Sequence, residues 1–181
     1  QNLEISRQTV DPLKDMGLQE QGYFLTTVHR AENTDSKTRL SAILDGFRQV
    51  YGEFRLPIIF PAHPRTVKMM HEFGLQVPAG VRITEPVGYL EFLQLESGAR
   101  LILTDSGGLQ EEACILGVPC VTLRDNTERP ETVDVGANII AGRDIVSCTR
   151  RMMQVGNGCK NPYGEGDAGK LIIELFERIK N

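Results

Sequence analysis

Between Leu101 and Glu112 the chain reads Leu-Ile-Leu-Thr-Asp-Ser-Gly-Gly-Leu-Gln-Glu-Glu, an apolar run, a hydroxyl, two glycines and the start of a helical pattern. Residues of these types at this spacing can hold a phosphate. Gly107 and Gly108 let the backbone approach a ligand closely, and unbonded amides at a helix start attract an anion. Ser106 is placed to cap the helix or to donate its hydroxyl to a phosphate oxygen. Glu112 follows about 9 Å along the axis, at roughly 1.5 Å per residue, a suitable distance for a ribose on the same nucleotide. Taken alone, the same letters describe a tight turn in which Ser106 only caps the helix. A P-loop is excluded, because no G-x-x-x-x-G-K-[ST] occurs.

Other chemistry-bearing residues follow other apolar runs. His29 and Arg30 lie in Thr27-Val-His-Arg-Ala-Glu-Asn33, where an imidazole suits phosphate contact or proton transfer. His63 precedes Pro64 and reads equally well as a turn residue. Arg124 and Arg129 share one short loop, where two cations would balance a diphosphate. Phe92 is either helix core or an apolar wall for a base. Gly164–Gly169 matches G-x-G-x-x-G but follows Asn161-Pro-Tyr163 rather than a strand, so it is read as the lead into a last helix, without NAD.

These residues need a frame, and the hydrophobic pattern supplies one. Continuous apolar runs at Tyr23–Thr27, Pro57–Phe60, Val81–Thr84, Leu101–Thr104 and Cys120–Leu123 predict strands covered on both faces, with Ala137–Ile140 a weaker sixth. Amphipathic stretches alternate with them at Arg39–Tyr51, Thr66–Phe73, Tyr89–Glu96, Gly108–Leu116, Asp144–Met153 and Ala168–Ile179. A lead-in helix over Glu4–Met16 is interrupted by Pro12. Such alternation predicts an α/β fold, a doubly wound Rossmann-like parallel sheet in one domain, with ligands at the carboxyl ends of the strands.

Composition narrows the ligand. The 181 residues are 40% hydrophobic and 24% charged, with a formal charge of −4, which points to neither nucleic acid nor an anionic membrane as partner. Apolar runs are too short to span a bilayer. Cys114, Cys120, Cys148 and Cys159 form no C-x-x-C and read as reduced buried thiols of a cytoplasmic protein, with no metal site.

Taken in order, Thr27–Asn33, His63-Pro64, Glu85-Pro86 with Tyr89 and Phe92, Thr104–Ala113, Gly117-Val-Pro119, Thr127-Glu-Arg-Pro-Glu131 and Asn161–Gly166 resemble the non-hydrolysing UDP-N-acetylglucosamine 2-epimerases, from about residue 20 onward. The resemblance implies one half, the carboxyl-terminal one, of a glycosyltransferase-B-like two-domain fold. It implies a UDP-sugar substrate, no cofactor, a partner amino-terminal domain and a homodimer. By the same resemblance Ser106, Gly107 and Gly108 hold the diphosphate and Glu112 the ribose. Phe92 and the backbone near Val87 frame the uracil, Arg129 touches the nucleotide sugar, and His29 is catalytic. Arg30, His63 and Arg124 are further candidates for the same ligand. The reaction implied inverts sugar carbon 2 by eliminating and re-adding UDP. Many members read His-x-Asn-Pro where this chain has His63-Pro-Arg-Thr66, so the resemblance does not extend to regulatory binding of a second substrate molecule. Relatives acting on 2,3-diacetamido uronic acid sugars share the same motifs, and a glycosyltransferase donor domain is the other alternative.

Overall fold

The computed structural model describes residues 2–155, 161–164 and 166–180. Cys159 and Glu165, the latter inside the Gly164–Gly169 motif, lie outside the described residues.

The lead-in segment splits at Pro12 into Asn2–Thr9 (α1) and Pro12–Asp15 (α2), the second capped by Asp11, which accepts from Lys14 N. Phe24–Thr27 (β1) leads through Ala31–Thr34 (α3) into Lys37–Phe54 (α4). Ile58–Pro61 (β2), Pro64–Glu72 (α5), Val81–Thr84 (β3) and Tyr89–Gly98 (α6) follow. Then come Leu101–Thr104 (β4), Gly107–Leu116 (α7), Cys120–Thr122 (β5), Pro130–Asp134 (α8) and Asn138–Ile140 (β6). Ile145–Met152 (α9) and Ala168–Lys180 (α10) complete the order.

Differences from the sequence pattern have local causes. α4 starts two residues early because Ser36 caps it by accepting from Arg39 N, and it ends where Arg55 turns left-handed at φ 58. α5 starts at Pro64, whose fixed φ suits the first helical position, behind His63 as cap. β2 is shifted one residue later than expected, ending at Pro61 beside Thr84 of β3.

Among the described residues six parallel strands form one sheet in the order β3-β2-β1-β4-β5-β6. Side chains of successive strand residues enter opposite faces. Phe24, Ile58, Phe60, Leu101 and Leu103 pack with α4 residues Leu40, Leu44 and Phe47 and α9 residues Ile145, Cys148 and Met152. Tyr23, Leu25, Ile59 and Ile102 pack on the other side with Leu95 of α6 and Ala113 of α7. Each fully buried Leu, Ile or Phe in these layers contributes about 1.5–3 kcal/mol relative to exposure. The doubly wound, Rossmann-like sheet read from the sequence is borne out.

Order reverses between β1 and β4. The chain leaving β1 turns to the α4 face, and the chain leaving β4 turns to the α7 face. The loops part there and leave a crevice at the carboxyl ends, where such sheets bind ligands. α10 leaves Leu171, Ile172, Leu175, Phe176 and Ile179 exposed. No helix among the described residues is long and apolar enough to cross a membrane.

Candidate functional site

The two central strands end as matched threonines. Thr27 and Thr104 are in register, and their hydroxyls lie 2.7 Å apart. Thr104 Oγ1 accepts from Ser106 N at 3.0 Å, which bends the backbone sharply out of β4. Ser106 then caps α7, its Oγ accepting from Leu109 N at 3.4 Å. Gly107 and Gly108 form the first turn, where no preceding carbonyl of the helix can reach their amides. A Cβ on Gly107 would stand 3.3 Å from Glu128 Oε2, whereas Gly108 is exposed. The result is a helix start with its amides aimed into the crevice, suited to a phosphate.

Asp105 is fully buried and ties this turn to the end of β1. Both its oxygens accept from His29 N at 3.1 Å, and Oδ2 also accepts from Arg30 N and Asn33 Nδ2, each at 3.0 Å. His29 Nδ1 lies 3.2 Å from Oδ1. The imidazole is therefore oriented by a buried carboxylate, an arrangement that fixes which ring nitrogen meets a ligand. Its ring is 46% exposed and lines a cleft of ≈ 330 Å³ with Val28, Pro61, His63, Arg65 and Pro86. His63 shares that cleft, but its Nδ1 accepts from Arg65 N at 3.1 Å, so it acts as the cap of α5.

Cations collect beside α7. Arg30 approaches Glu128 at 3.5 Å, and Arg129 pairs with Glu111 of α7. Arg124, expected to face a diphosphate, is 6% exposed and holds Glu32 at 2.6 Å and Glu128 at 2.8 Å. Both carboxylates raise the Arg124 pKa, Glu128 most, while Arg124 holds Glu128 below the usual carboxylate range. Arg124 thus anchors α3 and the loop after β5 from beneath. That loop is fixed again by Thr127, which donates to buried Gln110 of α7 and accepts from Arg129 N at 2.9 Å.

The third side of the crevice is α6. Phe92 and Val87 are half-buried and pack against the apolar cluster on the α7 face, leaving part of each accessible. Glu112 of α7 is half-buried, and its pKa is raised by burial and by Glu111. Ser106, Gly107 and Gly108 thus form the start of α7, Glu112 lies further along the same helix, Arg129 stands in the loop beside it, and Phe92 belongs to the neighbouring helix. His29 and Arg30 reach the same turn through Asp105 and Glu128; His63 stands one strand further out.

Sequence reasoning missed Asp105, Asn33, Gln110 and Glu96 of α6. The one signal for Asp105 is an acid directly ending a buried run. For Glu96 it is a charge four residues beyond Phe92, on the same helix face. Cys114, Cys120 and Cys148 are buried without a disulfide among them, and burial pushes the Cys120 and Cys148 thiols up. Among the described residues no group of His, Cys, Asp and Glu is placed to hold a metal.

Known proteins share this architecture. A family model described as UDP-N-acetylglucosamine 2-epimerase matches residues 1–177. A UDP-N-acetylglucosamine 2-epimerase of Methanococcus maripaludis is 49% identical, over 97% of this chain and 50% of its own length. A UDP-2,3-diacetamido-2,3-dideoxy-D-glucuronate 2-epimerase of Pseudomonas aeruginosa is 39% identical, over 91% of this chain and 47% of its own. The crystal structure of the Methanocaldococcus jannaschii UDP-GlcNAc 2-epimerase, in complex with UDP-GlcNAc and UDP, superposes with a TM-score of 0.87 at 47% identity. It covers 98% of this chain and 51% of that one. The chain spans about half the length of the relatives it matches. It belongs to the UDP-N-acetylglucosamine 2-epimerase family.

Proposed function

We propose that this chain is the UDP-binding, carboxyl-terminal half of an enzyme that interconverts UDP-N-acetylglucosamine and UDP-N-acetylmannosamine. The observation that carries the reading is the start of α7, where Ser106, Gly107 and Gly108 present a capped, glycine-lined anion site two turns from Glu112. In this reading the diphosphate lies on those amides, the ribose reaches Glu112, and the uracil stacks against Phe92 beside Val87. Arg129 and Arg30 lend positive charge from the rim. Arg124 acts indirectly, by holding Glu128 and Glu32.

Chemically, the proton on sugar carbon 2 is removed while the carbon 1–oxygen bond breaks, giving an unsaturated 2-acetamido sugar and UDP. Re-addition of the phosphate oxygen and protonation from the opposite face give the epimer. UDP must be held while detached, and fixed amide dipoles with nearby cations serve that purpose. His29, steadied by Asp105, faces the departing phosphate or the reacting sugar. The groups that move the carbon 2 proton lie in a second, amino-terminal domain of a glycosyltransferase-B-like arrangement. The exposed apolar side of α10 is of the kind that further structure covers. The whole enzyme is a cytoplasmic homodimer that takes no cofactor.

Calorimetry of the 181-residue chain against UDP, UDP-sugars and NAD tests the reading, with turnover assayed in parallel. UDP binding without conversion of UDP-N-acetylglucosamine is expected. Failure to bind UDP, or clear conversion by this chain alone, would sink it. The Pseudomonas aeruginosa relative keeps a diacetamido uronic acid sugar open as the substrate, and the full-length enzyme's relative kcat/KM on the two sugars separates them.

A further inference from the structure

The buried face of α6 carries a carboxylic acid that UDP binding leaves without a task. Glu96 is fully buried, and neither of its oxygens accepts a hydrogen bond from an amide, hydroxyl or cation among the described residues. Across the packing of α6 on α7 its neighbour is a second carboxyl, Glu112, and the two side chains act on each other's protonation. A buried carboxyl beside a second carboxylate, with no cation or donor to offset it, favours its protonated form. Burial, then the charge of Glu112, pushes Glu96 up to about 9, so it is the member that keeps the proton at neutral pH. A protonated Glu96 has one O–H, and Glu112 is the acceptor in front of it. Phe92 lies four residues earlier on the same side of α6, one turn toward the crevice. The acid therefore sits beneath the wall proposed for the base and behind the carboxylate proposed for the ribose.

We infer that Glu96 is a positioning residue for nucleotide recognition: its carboxylic O–H donates to Glu112, fixes that side chain, and leaves the other Glu112 oxygen to accept from the ribose hydroxyls. The inference rests on the reading of Glu112 as the ribose contact. A filler of the same volume, such as methionine, would pack here without the cost of burying an acid. The acid is explained by the one thing methionine lacks, a hydrogen to give to Glu112.

The test compares UDP with 2′,3′-dideoxy-UDP by calorimetry on the full-length enzyme, in wild type, E96Q and E96M. Wild type prefers UDP, and E96Q keeps that preference because its amide still donates. E96M loses roughly threefold to tenfold of the preference, the worth of one hydrogen bond, while dideoxy-UDP binds as before. An unchanged preference in E96M, or an equal loss in E96Q, overturns the inference. If wild type itself shows no preference, the reading of Glu112 fails first and the inference falls with it. Infrared difference spectra supply a second measurement that does not depend on E96M folding. A protonated-carboxyl band present in wild type at neutral pH and absent in E96Q supports the inference, and its absence from wild type overturns it.

Discussion

Replacing Asp105 by alanine removes, at the join between β1 and β4, the acceptor for His29 N, Arg30 N and Asn33 Nδ2 and the carboxylate beside the His29 ring. His29 N, at 3.1 Å, and Arg30 N, at 3.0 Å, would lose this partner. Asn33 Nδ2 would keep its bond to the Leu123 carbonyl at 3.0 Å. A buried donor left unsatisfied costs about 1–3 kcal/mol, and the two amides are only partly buried, so D105A should cost about 3–4 kcal/mol. D105N keeps the shape and one acceptor oxygen but turns an amide toward the donors, and should cost about 2 kcal/mol. Urea unfolding measures both, with an unchanged slope showing that the native state stays compact. For a chain of this size D105A should also lower Tm by about 10 °C, at roughly 2–4 °C per kcal/mol. A loss below about 1 kcal/mol in D105A would refute the idea that this carboxylate ties the two strands together.

Three further outcomes follow from the same geometry. In the full-length enzyme H29N should lower kcat by roughly two to four orders of magnitude, the range of acid–base groups, with UDP affinity nearly unchanged. Normal kcat with poor affinity would make His29 an ordinary binding residue. S106A and E112Q should each weaken UDP binding by about 1–2 kcal/mol, read by calorimetry, and unchanged affinity in both would move the nucleotide elsewhere. Glu96 is pushed from its ordinary 4.5 to about 9 in the folded state, so between those values the folded chain holds a proton that the unfolded chain has released. Stability from this group therefore falls as pH rises through that window, by up to about 1.4 kcal/mol per unit, and E96Q should flatten the slope in urea titrations between about pH 6 and about pH 8.

The strands were legible because burial on both faces leaves no polar alternation, and Leu101–Leu103 could hardly be anything else. The turn after β4 was legible because serine and two glycines in that position satisfy several local demands at once. Asp105 was not, since its partners His29 and Asn33 are 76 and 72 residues away and nothing local marks them. Glu96 was misleading in a different way. A glutamate on a helix normally faces water, and only the packing of α6 on α7 turns this one inward. Arg124 shows the same limit: its type suggested a phosphate, but its place beneath the loop gives it Glu32 and Glu128 instead.

The seam between β1 and β4 also sets an order of events in time. Phe24 pairs with Leu101, 77 residues further along the chain, whereas β1, β2 and β3 join through shorter crossovers. Closing the longer loop adds entropy cost and comes late in assembly. A nascent chain that has emerged only as far as β3 carries His29 but no Asp105 to orient it, and none of the amides of α7. On the proposed reading of the α7 start, competence to bind an anion arrives with the docking of the two half-sheets. A nucleotide added during refolding would report that last joining step, and would be blind to the strands and helices already formed on either side.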